Sequence, residues 1–348
     1  MENLFSKSLA EVEKIVIDLG ESKFRAKQIR EWLYRGCPDF SLMKNLPKPL
    51  LEKLSESFQP FPIKDQSRLD SEDGQTTKFL FSTADDEKIE CVLMRASYGN
   101  SVCVSSQIGC SMGCKFCAST LRGFKRNLSA DEMFSQVLRC QWELRADRGT
   151  KPNGDKNQND ITHVVIMGVG EPLLNLENVS TFMTMLHDNL AIGYRRITLS
   201  TCGIVPAIKK LESFDQPINL AISLHAPDDE LRKKIMPVAN EFSIAETLAA
   251  GFDFAAKRGR QLMIEYILLG GFNDSPEQAG QLAALLKGKN CMANLIPWNA
   301  VAECDWKIPS GNAAHRFQDI LIQNGIHARI RKERGADISS ACGQLRIG

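Results

Sequence analysis

Apolar runs that alternate with helical patterns constrain the fold of this chain after residue 100. Six runs of five to seven residues have the aliphatic character of buried strands: 101–105, 161–167, 196–200, 218–224, 262–268 and 291–296. Between them lie stretches with apolar residues at helical spacing: 129–146, 176–189, 205–213, 243–258 and 275–287. Strands that alternate with helical crossovers form parallel sheets with right-handed connections. The pattern therefore predicts an α/β fold, either an open doubly wound sheet or a barrel of fewer than eight units.

The chain before residue 100 predicts different structure. A capping-box pattern at Ser8 and Glu11 opens the first of three predicted helices. Two β-rich runs, 78–82 and 88–94, then predict a hairpin. A further helix (311–323) and strand (326–331) precede the tail, and 149–160 predicts a surface insertion. The predicted division is an N-terminal helical accessory domain (1–75), a β-hairpin extension (76–100), the α/β domain (101–331) and a C-terminal tail (332–348).

Composition narrows the class of protein. Hydrophobic residues make up 43% and charged residues 24% of the chain, which is typical of a globular protein. No apolar run reaches the roughly 20 residues that span a bilayer, and the N-terminus lacks a signal-peptide pattern. We therefore expect a cytoplasmic protein with no membrane association. The net charge of +1 indicates no nucleic-acid partner by itself, and the basic residues after His327 are as typical of a solvated face as of a phosphate contact.

The 11 cysteines indicate metal or redox chemistry, because no secretion signal accompanies them. Cys110, Cys114 and Cys117 follow the first predicted parallel strand within eight residues. Gly109 and Gly113 give this short loop the backbone freedom to turn three thiolates towards one metal centre. Three ligands leave one iron of a [4Fe–4S] cluster open to a further ligand. A zinc site is the alternative, but no second Cys or His pair lies nearby at a suitable spacing.

This CxxxCxxC triplet after the first strand of a parallel β/α domain resembles the radical S-adenosylmethionine (SAM) superfamily. The resemblance implies a partial (β/α)6 barrel, similar to part of a TIM barrel. It also implies that SAM chelates the open iron through its amino and carboxylate groups. One electron from the cluster would then cleave SAM to a 5′-deoxyadenosyl radical.

Further segments resemble the radical-SAM RNA adenine methyltransferases, the RlmN/Cfr family. They keep their order from about residue 20 to the end of the chain: 103–110, 124–128, 167–173, 198–201, 223–225, 294–299 and 337–345. The resemblance implies a set of SAM contacts: Gly170, Glu171, Ser200, Ser223, Leu224, His225 and Asn299. Glu171 would accept a hydrogen bond from the SAM amino group. Judged alone, His225 is more typical of a hydrogen-bonded core or loop histidine than of a ligand contact.

The same resemblance assigns roles to two cysteines outside the triplet. Cys342 would take a methyl group from a first SAM, and a second SAM would supply the radical that removes a hydrogen atom from that S-methyl group. The resulting methylene radical would add to an adenine ring carbon. Cys103 would then attack the sulfur of Cys342, form a disulfide and release the methylated base. Glu90 matches the position of the proton acceptor, whereas its place on a strand, judged alone, predicts an ordinary exposed carboxylate.

The resemblance implies methylation of adenosine carbon 2 in the peptidyl-transferase region of 23S rRNA and beside the anticodon of some tRNAs. A flavodoxin or ferredoxin would supply electrons, and we expect a monomer. Methylation of carbon 8, with antibiotic resistance, is an alternative that uses the same chemistry. A non-catalytic RNA-binding or iron–sulfur protein is a third hypothesis, which the presence of both Cys103 and Cys342 disfavours. Basic residues of the N-terminal unit predict either an RNA docking surface or a solvated face: Lys23, Arg25, Lys27, Arg30 and Arg35.

Overall fold

The computed structural model describes residues 1–146, 160–332 and 334–345. The predicted surface insertion lies outside the described residues except for Asp160. The last three residues of the predicted tail also lie outside them. Within the described ranges, no helix combines the length and the apolar composition that crossing a membrane requires.

The N-terminal unit consists of three helices, α1 (Leu9–Asp18), α2 (Phe24–Tyr34) and α3 (Lys48–Ser57). Helix α1 begins at the predicted capping box, in which the Ser8 hydroxyl accepts from the Glu11 amide and the Glu11 carboxylate accepts from the Ser8 amide. Two short parallel strands, β1 (Glu2–Asn3) and β2 (Phe58–Gln59), pair the two ends of the unit. The sequence therefore predicted these helices correctly, but not the strand pair.

A ten-stranded sheet organises the rest of the described chain. Its first strands are β3 (Ile63–Asp70), β4 (Thr76–Thr83), β5 (Lys88–Met94) and β6 (Asn100–Cys103). A separate antiparallel pair follows, β7 (Gln107–Ile108) and β8 (Arg126–Asn127). The sheet continues with β9 (Ile161–Ile166), β10 (Ile197–Thr201), β11 (Asn219–Ser223), β12 (Leu262–Leu268), β13 (Cys291–Pro297) and β14 (His327–Ile330). The strand order is β14-β13-β12-β11-β10-β9-β6-β5-β4-β3.

Helices connect the parallel strands. They are α4 (Ala130–Ala146), α5 (Leu176–Leu190), α6 (Val205–Leu211), α7 (Asp229–Ile235), α8 (Ile244–Lys257), α9 (Pro276–Leu286) and α10 (Gly311–Gln323). Strands β6 and β9 to β14 pair in parallel, whereas β3, β4 and β5 add to β6 as antiparallel neighbours. Inward side chains from β5 to β14 line one cavity, so the sheet curves into an incomplete barrel. The predicted α/β partial barrel is confirmed, and β14 extends it by a seventh parallel strand.

Strand β3 shows where the sequence pattern failed. It lies inside the range predicted as helical accessory domain, yet it pairs with β4 at the edge of the sheet. Seven of its eight residues are exposed, so the strand carries no alternation of apolar and polar residues. Edge strands often carry charged side chains, which protect their unpaired backbone groups from other strands.

The N-terminal unit packs on α4. The Phe5 and Phe134 rings stack with centroids 5.8 Å apart, and the buried Arg139 of α4 donates to both Asp65 of β3 and the Gly36 carbonyl. Apolar residues of the unit join one continuous core with the outer face of the sheet. This packing leaves the inner face of the sheet free to form the cavity.

Candidate functional site

The inner face of the barrel encloses a cavity of about 570 Å³, within the usual size range of small-ligand sites. Its wall comes from inward-facing residues of β5, β6 and β9 to β14, together with the C-terminal tail. Cys103, Cys117, Asn299 and Cys342 all contribute to this wall. Four of the residues predicted from sequence, from distant parts of the chain, therefore face one space.

The segment between β6 and α4 carries the cysteine triplet, and we call residues 109–124 the cysteine loop. It begins at Gly109 with φ +70°, where a Cβ atom would collide with the Gly123 carbonyl oxygen. The Trp298 indole donates to the Phe116 carbonyl at 3.1 Å, and the Lys115 amide donates to the Ile235 carbonyl at 3.0 Å. Contacts with the ends of β13 and α7 thus fix the loop at the carboxyl ends of the strands, where parallel α/β barrels bind ligands.

The three thiols of the loop fit an iron–sulfur cluster better than a single metal ion. Burial raises the pKa of Cys110 to about 11, and the pKa of Cys114 is raised by burial and by its neighbours Cys117 and Cys110. No set of three or more His, Cys, Asp or Glu side chains in the described ranges is arranged to hold one ion. In a four-iron cluster each thiolate binds a different iron, so the sulfurs need not converge on a point.

The turn after β9 places Glu171 beside the cysteine loop. Gly170 has φ +112°, and a Cβ atom there would clash with the Gln107 side chain. The buried Glu171 carboxylate accepts from the Leu173 amide at 3.1 Å and from the Cys202 amide at 2.8 Å. Burial raises the pKa of this carboxyl group. The Thr201 and Cys202 side chains also bond to this carboxylate, whose two oxygens are acceptors for N–H or O–H donors.

Ser200 and Ser223 end neighbouring strands, and their hydroxyl oxygens lie 3.5 Å apart. The buried Arg232 holds these strand ends together, because its guanidinium donates to the carbonyls of Cys202 and Leu224 at 2.6 and 3.2 Å. The Leu224 side chain lies in the main core, so only its backbone is available to a ligand. Sequence analysis missed Arg232, since it lies in a short helix rich in charged residues that looks solvated.

His225 presents a neutral imidazole next to the cysteine loop. Its Nδ1 accepts from the Ile267 amide at 3.0 Å, so the proton is on Nε2. Burial, aided by the charge of Arg232, lowers its pKa to about 3. The ring packs edge-on against Phe116, with centroids 4.9 Å apart. Its backbone has φ +61°, and the buried Asn273 side chain donates to its carbonyl at 2.8 Å. Sequence analysis missed this supporting role of Asn273.

The C-terminal tail closes against the cysteine loop. The Gly343 carbonyl accepts from the Ala118 amide and the Leu345 carbonyl from the Ser119 hydroxyl, both at 2.8 Å. The Asn299 side chain donates to the Cys342 carbonyl at 3.3 Å. These bonds hold Cys342 at the cavity wall. Its neighbour Gly343 is bonded to the cysteine loop, and its own carbonyl is bonded to Asn299.

Cys103 and Cys342, to which the resemblance assigns roles, interact electrostatically with each other. Burial raises the pKa of Cys103 to about 12, and the nearby Cys342 adds to the shift. Cys342 likewise raises the pKa of Cys117, after burial. The half-buried Arg331 interacts with both Cys342 and Cys103, and its pKa is raised chiefly by Cys342. Sequence analysis saw Arg331 within a basic stretch, but not that it points into the cavity.

Glu90 lies outside the cavity wall formed by the described residues. It is 5% exposed, so the expectation of an ordinary exposed carboxylate was wrong. Its carboxylate lies 3.3 Å from the Lys78 ammonium group. Lys78 also donates to the Ser339 carbonyl at 3.2 Å, three residues before Cys342. The structure therefore places Glu90 next to the tail, with its charge balanced by a lysine.

Comparisons with known proteins bear on these arrangements. The family model described as Ribosomal RNA large subunit methyltransferase N-terminal domain matches residues 2–59, and the Radical SAM superfamily model matches residues 153–283. A probable dual-specificity RNA methyltransferase RlmN from Symbiobacterium thermophilum is 47% identical over 343 residues, which cover 97% of this chain and 90% of that protein. Its counterpart from Clostridium acetobutylicum is 45% identical over 351 residues, covering 99% and 97%.

A solved structure provides the same comparison in three dimensions. The crystal structure of a radical SAM methyltransferase from Sphaerobacter thermophilus superposes with a TM-score of 0.87 at 39% identity. The match covers 100% of both chains. The likeness therefore extends to the N-terminal helices, the barrel and the tail together.

Proposed function

The chain belongs to the RlmN family of radical-SAM RNA methyltransferases, and on that premise we propose that it methylates carbon 2 of adenosine in 23S rRNA and in tRNA next to the anticodon. Family membership confirms the resemblance that the sequence motifs predicted. The observation that supports the proposed chemistry is the cavity wall shared by Cys103, Cys117 and Cys342. A protein that merely bound RNA would not need a tail cysteine fixed beside a second thiol and a cysteine triplet.

Cys110, Cys114 and Cys117 would hold the [4Fe–4S] cluster, and the neighbouring polar groups would bind SAM. With SAM on its open iron, the cluster supplies a 5′-deoxyadenosyl radical, which can remove a hydrogen atom from an S-methyl group. Glu171 would accept from the SAM amino group, and the Leu173 and Cys202 amides would hold its carboxylate in position. The remaining proposed SAM contacts are Gly170, Ser200, Ser223, the Leu224 backbone, the Nε2–H group of His225 and Asn299.

Cys342 would carry the methyl group as a thioether. A cysteine thiolate is a good nucleophile, and the Arg331 guanidinium interacts with Cys342. The hydrogen bonds of the tail would hold the methylated sulfur facing the base. Cys103 would then attack the Cys342 sulfur, form a disulfide and release the carbon with the base. Glu90 would accept the proton lost in this sequence, next to Lys78, which balances its charge.

The residues at the rim of the cavity suit a single-stranded RNA substrate. Arg196, Lys332 and Arg334 contribute positive charge, which favours phosphate groups. Tyr98 is 68% exposed at the same rim and packs edge-on against His163, with ring centroids 5.8 Å apart. An exposed aromatic ring of this kind can stack on an unpaired base. A base inside the cavity would have to leave its stack, as in other enzymes that modify bases.

Three further parts of the proposal follow from the chemistry rather than from contacts. Radical formation consumes an electron of low potential, which a flavodoxin or ferredoxin would deliver. The substrates imply a cytoplasmic location. We also propose that the protein is a monomer.

The test is nucleoside analysis after a defined reaction. The purified enzyme, reconstituted anaerobically with iron and sulfide, is incubated with reductant, SAM and either 23S rRNA or tRNA, and digested nucleosides are identified by mass spectrometry. We expect 2-methyladenosine in both RNAs, no product from Cys342→Ala, and full product from the control Cys291→Ala, whose cysteine lies outside the cavity wall. Product consisting only of 8-methyladenosine would support the carbon-8 alternative and contradict the proposal.

A further inference from the structure

Glu265 is a buried carboxylate in the middle of the cavity wall that none of the steps above uses. It lies on the inner face of β12 and is 3% exposed. Its strand register places it beside Ser223 of β11 and beside Asn294 of β13. Charged side chains are rarely buried this deeply unless they are paired or bind a ligand.

The hydrogen bonds of Glu265 leave one oxygen without a partner. Its Oε1 accepts from the Asn294 side-chain amide at 2.7 Å, and the Asn294 oxygen in turn accepts from Arg329 Nε at 2.6 Å. This chain of bonds across β12, β13 and β14 fixes the carboxylate in one orientation. Glu265 Oε2 is buried and has no hydrogen-bond partner among the described residues. An unsatisfied buried acceptor is costly, so it requires a physical explanation.

Glu265 lines the same cavity as the two reactive sulfurs. Burial raises the pKa of its carboxyl group, whereas the charges of Arg331 and Arg329 oppose that shift. Arg331 also interacts with Cys342 and Cys103. Glu265 and the two cysteines therefore interact with the same guanidinium group, and all four residues line the same cavity.

The chemistry of the free oxygen defines what it can bind. A carboxylate oxygen accepts hydrogen bonds, so its partner must present an N–H or O–H group. The exocyclic amino group of adenine is such a donor. Guanine and hypoxanthine carry a carbonyl oxygen at the equivalent position, and a buried carboxylate would repel it.

On the basis of the proposed function, we propose that Glu265 Oε2 accepts a hydrogen bond from the exocyclic amino group of the target adenine and so selects adenosine over 6-oxopurine nucleosides. Asn294 and Arg329 are positioning residues in this arrangement, because they hold the other oxygen. The SAM adenosyl group carries similar donors, so the test must separate the two nucleosides.

The test compares kcat/KM for model RNAs that differ only at the target nucleoside: adenosine, purine riboside without the amino group, or inosine. We expect the wild-type enzyme to favour adenosine over purine riboside by about 10- to 100-fold, the usual effect of losing a hydrogen bond to a charged group. Glu265→Ala should lose about the same factor on adenosine and should no longer distinguish the two. Intrinsic differences in reactivity between the bases cancel when the variant is compared with the wild type.

Glu265→Gln gives a sharper result. It keeps the shape of the side chain, so it also serves as the test variant if Glu265→Ala folds poorly. Asn294 would still donate to the amide oxygen, so the amide NH₂ group would occupy the place of Oε2. A donor there suits the carbonyl of inosine, and the adenosine-to-inosine preference should fall by at least about tenfold. Glu277→Gln, an exposed carboxylate in the first turn of α9, is the matched control and should keep the wild-type preference.

A second readout separates the RNA base from SAM. Methylation of Cys342 without RNA, followed by intact-protein mass spectrometry, reports use of SAM alone, and we expect it unchanged in Glu265→Gln. Loss of that methylation would show that Glu265 binds SAM. Unchanged base preference in both variants would show that Glu265 has only a structural role. Either result would overturn this inference without affecting the proposed function. Wild-type enzyme that methylated none of the RNAs would overturn the proposed function as well.

Discussion

At the scale of single residues, burial decides which groups are donors and which are acceptors. His225 is kept neutral because its imidazole is desolvated and lies near Arg232. Its Nδ1 is already occupied by the Ile267 amide, so Nε2–H is its one remaining hydrogen-bonding group. Glu171 and Glu265 are buried acceptors of the same kind on other strands. The site therefore offers fixed hydrogen-bonding groups with little freedom to reorganise.

We predict that His225 makes the fold sensitive to acid. A histidine in the unfolded chain titrates near pH 6.5, whereas His225 in the folded chain stays neutral down to about pH 3. Below about pH 6.5 the unfolded state therefore binds a proton that the folded state does not. The contribution of His225 is complete above that pH and is lost as the pH falls, by up to about 1.4 kcal/mol per pH unit.

Urea unfolding at pH 7, 6 and 5 measures this effect. The free energy of unfolding of His225→Gln should fall less steeply with pH than that of the wild type. His327→Gln, which removes an exposed histidine, should follow the wild-type slope. Parallel curves for the wild type and His225→Gln would contradict the assigned ionisation.

Cys103→Ala should stop the reaction after the base has joined Cys342. Without the Cys103 thiol, nothing in the proposed sequence cleaves the bond between the Cys342 sulfur and the new carbon. We therefore expect a protein–RNA adduct that survives denaturing electrophoresis and maps to the peptide containing Cys342. Free methylated RNA at the wild-type rate would show that another group performs the release.

The sequence identified most proposed contacts of the site, because cysteines at short spacing and polar residues at strand ends are local signals. It could not identify Arg232, Asn273 or Glu265, whose roles depend on contacts between elements that are distant in sequence. Glu90 shows the same limit, since only the packed structure reveals that it is buried beside Lys78.

At the scale of elements, the tail is held to the barrel mainly by backbone groups. Two carbonyls of the tail accept from Ala118 and Ser119 of the cysteine loop. The Gln344 side chain adds a hydrogen bond to the Ala300 carbonyl at 2.9 Å and accepts from the Ala341 amide at 3.2 Å. A short terminal segment fixed by individual hydrogen bonds can open locally at a lower free energy than global unfolding requires.

Gln344→Ala should loosen the tail and expose Cys342. Losing two partly exposed hydrogen bonds costs about 1 kcal/mol, which corresponds to roughly five- to tenfold faster alkylation of Cys342. Peptide mass spectrometry after a timed iodoacetamide pulse gives the rate. The control Gln323→Ala, at the exposed end of α10, should leave the alkylation rate unchanged. An unchanged rate in Gln344→Ala would show that the Gln344 side chain does not hold the tail.

The regular elements with clear periodicity were predicted well, and the exceptions are irregular in sequence. The strand predicted at 262–268 and the helix predicted at 311–323 match β12 and α10. The sequence did not predict α7, a seven-residue helix with five charged side chains and two apolar ones, because so short a segment shows no apolar stripe.

At the scale of the whole molecule, α4 connects the N-terminal unit to the barrel. Arg139 is 2% exposed and binds three parts of the structure: Asp65 of β3, Glu143 of its own helix and the Gly36 carbonyl after α2. Asp65 is about half exposed, which weakens that ion pair by solvent screening. The hydrogen bond from Arg139 to the Gly36 carbonyl contributes more to stability, because replacing Arg139 would leave that buried carbonyl without its donor.

Arg139→Met should therefore destabilise the molecule while keeping the apolar stem of the side chain. We expect a loss of about 2 kcal/mol in the free energy of unfolding, measured by urea titration. Arg145→Met, on the same helix but in an exposed pair with Asp160, should lose no more than about 0.5 kcal/mol. Equal losses in the two variants would show that Arg139 does not link the units.

The central claim is that the methyl carbon passes through Cys342 and loses a hydrogen atom there before it reaches adenosine. Supplying SAM whose methyl group carries three deuterium atoms, and weighing the methyladenosine product by mass spectrometry, tests that claim directly. We predict that two of the three deuterium atoms remain in the product, because one is removed from the S-methyl group of Cys342. A product that kept all three would mean direct transfer from SAM and would contradict the account.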